Sequence, residues 1–141
     1  MVAKPAIAED RNADKEISVL IVDDNPEIRM AVSQAFSLSG FRVCGEAKNG
    51  KEGIDFVKQL APDLVFLDLA MPVMNGLNAA IEIRKIAPST PIILFTMFHD
   101  KDIAEYALQV GVNLVLSKTE ALSSLVRKAH SLRTDKSADS R

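Results

Sequence analysis

One stretch near the middle of the chain constrains its fold more than any other: a short apolar run that stops at an acidic residue. The run covers residues 64–67, Asp68 follows it, and Pro72 and Gly76 come shortly afterwards. A short run without polar alternation is typical of a strand buried on both faces, and Pro and Gly favour a turn after it. The pattern predicts a buried parallel strand whose last residue is a carboxylate.

Three further apolar runs also end beside a polar side chain. They cover residues 17–22, 91–95 and 112–116. The polar residues that follow them are Asp23 and Asp24 after the first run, Thr96 after the second, and Lys118 shortly after the third. Because open α/β sheets bind their ligands at the carboxyl ends of parallel strands, we expect these four side chains to lie near Asp68.

Helical patterns separate these runs and a further apolar run at residues 41–47. The first helix is predicted to begin at Asn25-Pro26, because Asn is a good N-cap and Pro suits the first helical position. Its apolar positions follow the i, i+3, i+4, i+7 spacing of a helix that packs one face on a sheet. The predicted inward faces include Leu60 in the second helix and Leu108 in the fourth.

Strands that alternate with helices five times predict an α/β fold with a parallel sheet and helices on both of its faces. Right-handed crossovers leave few topologies, and the doubly wound order 2-1-3-4-5 places the ends of the first and third strands side by side. We therefore predict a doubly wound five-stranded parallel sheet with five helices. In this arrangement Asp23, Asp24 and Asp68 share one crevice.

Length and composition are those of one globular domain. The 141 residues are 48% hydrophobic and 26% charged, which is enough to bury a core. The polar ends have no apolar periodicity. We predict a flexible N-terminal arm at residues 1–15, a folded domain at residues 16–133 and a flexible C-terminal tail at residues 134–141.

Charge and hydropathy argue against several classes of function. A net charge of −2 predicts no direct contact with nucleic acid, and no apolar run approaches the ~20 residues of a membrane span. The first residues lack the apolar segment of a signal peptide, and Cys44 is the only cysteine, so no internal disulfide can form. These features predict a cytoplasmic protein without membrane contact.

Three carboxylates that lie close together need nearby positive charge to remain ionised. Mg²⁺ suits a small site of oxygen ligands, because it keeps some of its waters and binds phosphate oxygens as well. Lys118 would add an ammonium group and Thr96 a hydroxyl, and both can contact phosphoryl oxygens. Asp68 is then either a third metal ligand or a nucleophile that forms an acyl phosphate. We predict phosphoryl transfer to Asp68.

Each of these residues also has an ordinary structural interpretation. Asp23-Asp24-Asn25 fits a helix N-cap cluster, Asp68 a turn residue, Thr96 a locally bonded hydroxyl, and Lys118 a solvated surface lysine. The joint placement of all of them at one edge of one sheet favours a functional site over independent coincidences.

Four segments form a specific set of motifs. They are residues 19–25 with the sequence VLIVDDN, the Asp-x-x-Met-Pro-x-Met-x-Gly core at residues 68–76, and residues 92–96 and 111–118. Together they resemble the receiver domain of two-component response regulators. The resemblance spans about residues 17–132 and implies the flavodoxin-like receiver fold.

This resemblance implies a role for each site residue. Asp68 resembles the phosphoacceptor, Asp24 the direct Mg²⁺ ligand, and Asp23 the acid that holds the ion largely through water. The backbone carbonyl of Ala70 would supply a further ligand, while Thr96 resembles the switch hydroxyl and Lys118 the lysine that contacts the phosphoryl group.

The implied partners are a sensor histidine kinase or a histidine phosphotransfer protein. A downstream protein, or a second copy of the chain, would bind the face formed by the fourth helix, the fifth strand and the fifth helix. Val115 stands where the family usually has an aromatic switch residue, so we expect a switch that uses Thr96 or the loops. The implied protein is a signalling switch that catalyses only its own phosphorylation and dephosphorylation.

Two other interpretations remain open. The chain fits a receiver excised from a longer DNA-binding response regulator equally well. A Mg²⁺-dependent phosphohydrolase of the haloacid-dehalogenase kind also forms an aspartyl phosphate. Such enzymes place a second Asp two residues after the nucleophile, where this chain has Ala70.

Overall fold

The computed structural model describes residues 16–97 and 100–139, with side chains as far as Leu132. Within these residues the chain forms five strands and five helices. The strands are β1 (Ser18–Val22), β2 (Arg42–Ala47), β3 (Leu64–Asp68), β4 (Ile92–Thr96) and β5 (Leu114–Ser117). The helices are α1 (Pro26–Leu38), α2 (Gly50–Leu60), α3 (Gly76–Ile86), α4 (Lys101–Gln109) and α5 (Leu122–Asp139).

The strands form one parallel sheet in the order β2-β1-β3-β4-β5, which confirms the predicted doubly wound topology. β1, β3 and β4 are buried along their whole length, whereas the edge strands β2 and β5 are partly exposed. Central strands with helices on both sides need apolar residues at every position. This requirement explains the continuous apolar runs of the sequence.

The two faces of the sheet carry separate parts of the core. On one face α1 and α5 pack on the sheet through Phe36, Phe66 and Leu125, among others. On the other face α2, α3 and α4 cover residues such as Leu20, Leu67 and Leu94. Successive residues of a strand therefore belong to different layers, as the two-residue period of a strand requires.

Polar caps fix where four of the helices begin. Asn25, Asn49, Asn75 and Asp100 precede α1 to α4, and each side-chain oxygen accepts a hydrogen bond from a backbone N–H of the first turn. Such caps satisfy donors that have no partner within the helix. The caps at Asn25 and Asn75 also end the loops that follow β1 and β3, so they define the chain around the carboxyl ends of these strands.

Some details of the sequence prediction are wrong. Leu60 and Leu108 were predicted to face the sheet but are 41% and 54% exposed, and α4 buries only Ala107 completely. The fifth strand begins at Leu114 instead of residue 112, because the N–H of Val112 donates to Ala107 and closes the end of α4. Gly111, with a φ of 110°, permits this ending.

The predicted termini of the domain are only partly within the described residues. The N-terminal arm at residues 1–15 lies outside them. The predicted C-terminal tail is helical as far as Asp139, and its side chains lie outside the described residues. Among the described residues, no helix has the length and apolar character needed to cross a bilayer.

Gly76 holds the loop after β3 close to the end of that strand. Its N–H donates to the carbonyl of Leu69 over 2.8 Å. A β-carbon at this position would lie 2.3 Å from the carbonyl oxygen of Asp68 and 2.9 Å from the Leu94 side chain. Only a residue without a side chain fits this approach of α3 to the strand end.

Replacing Gly76 by Ala is therefore expected to destabilise the protein by about 2 kcal/mol or more, because backbone would have to move. Urea unfolding followed by circular dichroism measures this change. The control is Asn78→Ala in the same helix, where the exposed side chain predicts a change within about 0.5 kcal/mol. Equal stabilities for Gly76→Ala and the wild type would contradict the close packing.

Candidate functional site

Three carboxylates meet at the carboxyl edge of the sheet. Oxygen atoms of Asp23, Asp24 and Asp68 all lie within 4.8 Å of one another. The sheet explains this proximity, because β1 pairs with β3 so that Val22 is opposite Leu67, and the acids come directly after these residues. Asp23 and Asp68 are buried, with 0% and 2% exposure, whereas Asp24 is exposed.

Lys118 is the cation that faces these acids. Its Nζ lies 2.9 Å from Oδ1 of Asp68 and 3.6 Å from Oδ2 of Asp23, and the side chain is only 10% exposed. The backbone N–H of Lys118 donates to the carbonyl of Thr96 over 2.7 Å, which ties the end of β5 to the end of β4. The fold therefore brings this ammonium from the end of β5, past β4, to the acidic pair.

Asp23 is incompletely satisfied. Oδ1 accepts a hydrogen bond of 2.9 Å from the N–H of Asn25. Oδ2 is buried and has no hydrogen-bond partner among the described residues, since the Lys118 ammonium is too far away for a good one. The Asp23 carbonyl accepts from Arg29 over 2.6 Å, and Arg29 also pairs with Glu46. These bonds hold the backbone of Asp23 and leave Oδ2 directed at the site.

This donor set fits a small divalent cation. All three side chains offer hard oxygen atoms, the buried Oδ2 of Asp23 needs a positive partner, and exposed Asp24 leaves an open path from solvent. Mg²⁺ prefers such oxygen ligands and retains part of its water shell. The charges by themselves favour a bound cation, because Lys118 balances only part of the negative charge of the three carboxylates.

Burial changes the protonation of both inner acids. It raises the pKa of Asp68 from 3.8 to about 6, with the hydrogen bond from Lys118 acting in the opposite direction and the charge of Asp23 adding to the increase. Burial also raises the pKa of Asp23, while the N–H of Asn25 and the charge of Lys118 lower it. A buried carboxylate with an elevated pKa and a specific charged partner is typical of functional sites.

The remaining predicted residues occupy the same edge of the sheet. Thr96 ends β4, is 3% exposed and lies opposite Ser117 in β5. Ala70 lies on the exposed loop two residues after Asp68. Val115 is half-buried and packs with the layer of α2, α3 and α4. The structure thus brings the acids and Lys118 together, with Thr96 beside them, while the catalytic roles of these residues stay predictions.

One contact of Lys118 was not predicted from the sequence. Its ammonium lies over the ring of Phe95, at 5.8 Å from the ring centroid. Phe95 was seen only as the last apolar residue of a strand. The sequence places Phe95 directly before Thr96, which puts it close to the predicted site. That position does not show in which direction the Lys118 side chain turns, so the contact could not be predicted.

Comparison with known proteins decides the family. The family model of the response regulator receiver domain matches residues 19–130. The chain belongs to the response regulator receiver domain family. Members of this family are signalling switches of two-component systems, and the phosphoacceptor function follows from that membership.

Individual relatives agree with this assignment. The receiver is 40% identical to chemotaxis protein CheY of Thermotoga maritima over 93 residues, which cover 66% of this chain and 78% of that protein. It is 35% identical to the nitrate/nitrite response regulator protein NarL of Escherichia coli K12 over 114 residues, or 80% of this chain and 53% of NarL. The receiver thus spans about half the length of some curated relatives that it matches.

Solved structures confirm the fold. The signal receiver domain of the putative response regulator NarL from Mycobacterium tuberculosis superposes with a TM-score of 0.80 at 29% identity. The match covers 84% of this chain and 97% of that domain. Receivers also occur within enzymes: a protein-glutamate methylesterase of Photobacterium profundum is 43% identical over 57% of this chain and 20% of its own length.

Replacing Asp68 by Asn is expected to stabilise the metal-free receiver at neutral pH. The raised pKa means that the folded state resists ionisation of Asp68, so the penalty appears as pH rises above about 4 and is complete above about 6. The stability gain of Asp68→Asn should therefore grow by roughly 2 kcal/mol between pH 4 and pH 7.

Urea unfolding in the presence of a chelator measures this gain at each pH. Asp55→Asn is the control, because its carboxylate lies at the surface in an ion pair with Lys51. Its effect should change by less than about 0.5 kcal/mol over the same range. A gain for Asp68→Asn that is constant with pH would contradict the proposed burial penalty.

Proposed function

We propose that this receiver accepts a phosphoryl group on Asp68 from a sensor histidine kinase or a histidine phosphotransfer protein, in a Mg²⁺-dependent reaction. The observation that carries the proposal is the buried carboxylate of Asp68, held 2.9 Å from the Lys118 ammonium and within 4.8 Å of two further acids. Family membership supports the same role. The product is an acyl phosphate that changes the surface of the domain.

The transfer step involves one bond formed and one broken. An oxygen of Asp68 donates an electron pair to phosphorus, while the bond between phosphorus and the donor's histidine nitrogen breaks. The electron pair of that bond leaves with the imidazole nitrogen, so no other co-reactant is needed. The site favours this step because the Lys118 ammonium faces the reacting oxygens of Asp68.

The residues around Asp68 divide the remaining tasks. Lys118 contacts the phosphoryl oxygens, and the Thr96 hydroxyl donates to them and acts as the switch. Asp24 and Asp23 hold the ion together with Asp68 and the carbonyl of Ala70. Bound Mg²⁺ supplies positive charge that offsets the charge of the phosphoryl oxygens. The buried Oδ2 of Asp23, which has no hydrogen-bond partner among the described residues, supports this assignment.

The output is a protein contact through the face of α4, β5 and α5. Tyr106 and Leu108 of α4 are 48% and 54% exposed, which offers apolar area for a downstream protein or for a second copy of the receiver. With Val115 in place of an aromatic residue, the switch depends on Thr96 alone or on the loops. We propose no direct contact with nucleic acid or membrane for this domain, and a cytoplasmic location.

A second candidate role is that of the receiver of a longer DNA-binding response regulator. The supporting observation is that the receiver covers 53% of NarL and 54% of a putative transcriptional regulator of Pseudomonas aeruginosa. Turnover of a free substrate, as in haloacid-dehalogenase-like phosphohydrolases, is disfavoured. Ala70 provides no general acid two residues after Asp68.

Incubation with acetyl phosphate and Mg²⁺ is expected to add one phosphoryl group to the wild type and none to Asp68→Asn. Intact-mass spectrometry detects the adduct, which is convenient because the chain has no tryptophan for a fluorescence assay. Asp55→Asn, a surface variant, should be labelled like the wild type. An adduct on Asp68→Asn, or none on the folded wild type, would refute the proposed acceptor.

Addition of Mg²⁺ alone is expected to raise the melting temperature of the wild type, because the ion binds only the folded arrangement of the three acids. At concentrations well above the dissociation constant the rise should be about 4 °C or more. Differential scanning calorimetry measures it. In Asp24→Asn the rise should fall below about 1 °C, whereas Asp55→Asn should behave like the wild type; equal responses of all three proteins would refute the site.

A further inference from the structure

We propose that Phe95 is a positioning residue for Lys118: the face of its ring holds the ammonium in line with Asp68. The contact places Nζ over the ring at 5.8 Å from the centroid, within the range in which aromatic faces attract cations. This inference goes beyond the proposed acceptor role of Asp68, although its consequence for phosphorylation rests on that role. It assigns a function to an apolar residue outside the acidic cluster.

The Phe95 ring is held in place by contacts with other aromatic residues of the core. Phe95 is 3% exposed, and its centroid lies 4.8 Å from that of Phe66. Phe66 contacts Phe36 at 6.0 Å, and Phe36 contacts Phe41 at 4.9 Å. Edge and tilted contacts of this kind are favourable, so the Phe95 ring has little freedom to turn away from Lys118.

The ammonium needs such a support because it has been largely removed from water. Lys118 is 10% exposed, and its long side chain carries considerable rotamer freedom. The electron-rich ring face attracts the cation more strongly when water is excluded. Phe95 therefore adds a third partner for the ammonium to the two carboxylates.

A cavity beside Lys118 offers space for its side chain if the ring is removed. A space of about 220 Å³ is lined by Phe95, Lys118, Met97 and Leu122, and the carboxylate-bearing Glu120 lines it as well. Glu120 is paired with Lys128, but it still makes this cavity attractive to a second ammonium. A smaller, non-aromatic side chain at position 95 would lose the attraction of the ring and open this path away from Asp68.

The test compares phosphorylation rates in acetyl phosphate and Mg²⁺, measured by intact-mass spectrometry. Phe95→Leu keeps an apolar side chain but removes the ring face, and we expect the rate to fall about 3- to 10-fold. The matched control is Phe41→Leu, which disturbs the same buried cluster at a ring that contacts Phe36 and His130 instead of Phe95. Its rate should stay within about twofold of the wild type, since it changes core packing only.

A double-mutant cycle separates positioning from packing. In a Lys118→Gln background, Phe95→Leu should cause no further slowing, because the partner of the ring is already absent. Equal slowing by Phe95→Leu and Phe41→Leu, or slowing by Phe95→Leu that persists without Lys118, would overturn the proposal. If Phe95→Leu fails to fold, the test uses 3,4,5-trifluorophenylalanine at position 95. This residue keeps the shape of the side chain but withdraws electron density from the ring face. An unchanged phosphorylation rate would overturn the proposal.

Thermal unfolding without Mg²⁺ or phosphodonor tests the contact independently of phosphorylation. The loss of melting temperature caused by Phe95→Leu should be about 2 to 5 °C larger with Lys118 present than in the Lys118→Gln background. Additive losses would overturn the contact. A wild type that takes no phosphoryl group would refute the proposed function, and this unfolding cycle would still decide whether Phe95 holds Lys118.

Discussion

The structure depends on the confinement of like charges at one edge of the sheet. Asp23 and Asp68 are buried side by side, Asp24 lies next to them, and Lys118 supplies one positive charge within reach. Burial raises the pKa of both inner acids, so the folded state carries an energetic penalty at neutral pH. The same penalty favours the binding of a cation beside the acids. Instability of the bare site and its attraction for a cation therefore have one physical origin.

The fold keeps these acids together because β1 and β3 cannot shift along the sheet. β1 and β3 are buried on both faces, and a shift of either strand along the sheet would move its terminal acid into the apolar core. Gly76 then turns the chain back against the end of β3, and the caps at Asn25 and Asn75 start the next helices. The loops that carry the site are short, and each is anchored at both ends.

The sequence was sufficient for the features that depend on local order along the chain. The alternation of strands and helices and the cap at Asn25 follow from the local sequence. The strand order also needed the right-handed crossover rule and the resemblance to receivers, and the gathering of the acids with Lys118 follows from that order. Details of how each helix packs on the sheet were not predictable. Leu108 is exposed because α4 offers the sheet mainly Ala107, and the start of β5 is set by how α4 ends. Predicting the contact between Phe95 and Lys118 requires the direction in which the lysine side chain turns after the end of β5. No periodicity of the sequence encodes that direction.

Lys118 connects one of the two core layers to the site. Val115, in β5, faces the layer of α2, α3 and α4, whereas Phe95, whose ring contacts the Lys118 ammonium, belongs to the layer of α1 and α5. Because residue 115 is Val, the layer of α2, α3 and α4 has no large ring at this position. In the layer of α1 and α5, the ring of Phe95 lies against the Lys118 ammonium itself. If Lys118 contacts the phosphoryl group as proposed, its contact with the Phe95 ring links the layer of α1 and α5 to the chemical state of Asp68.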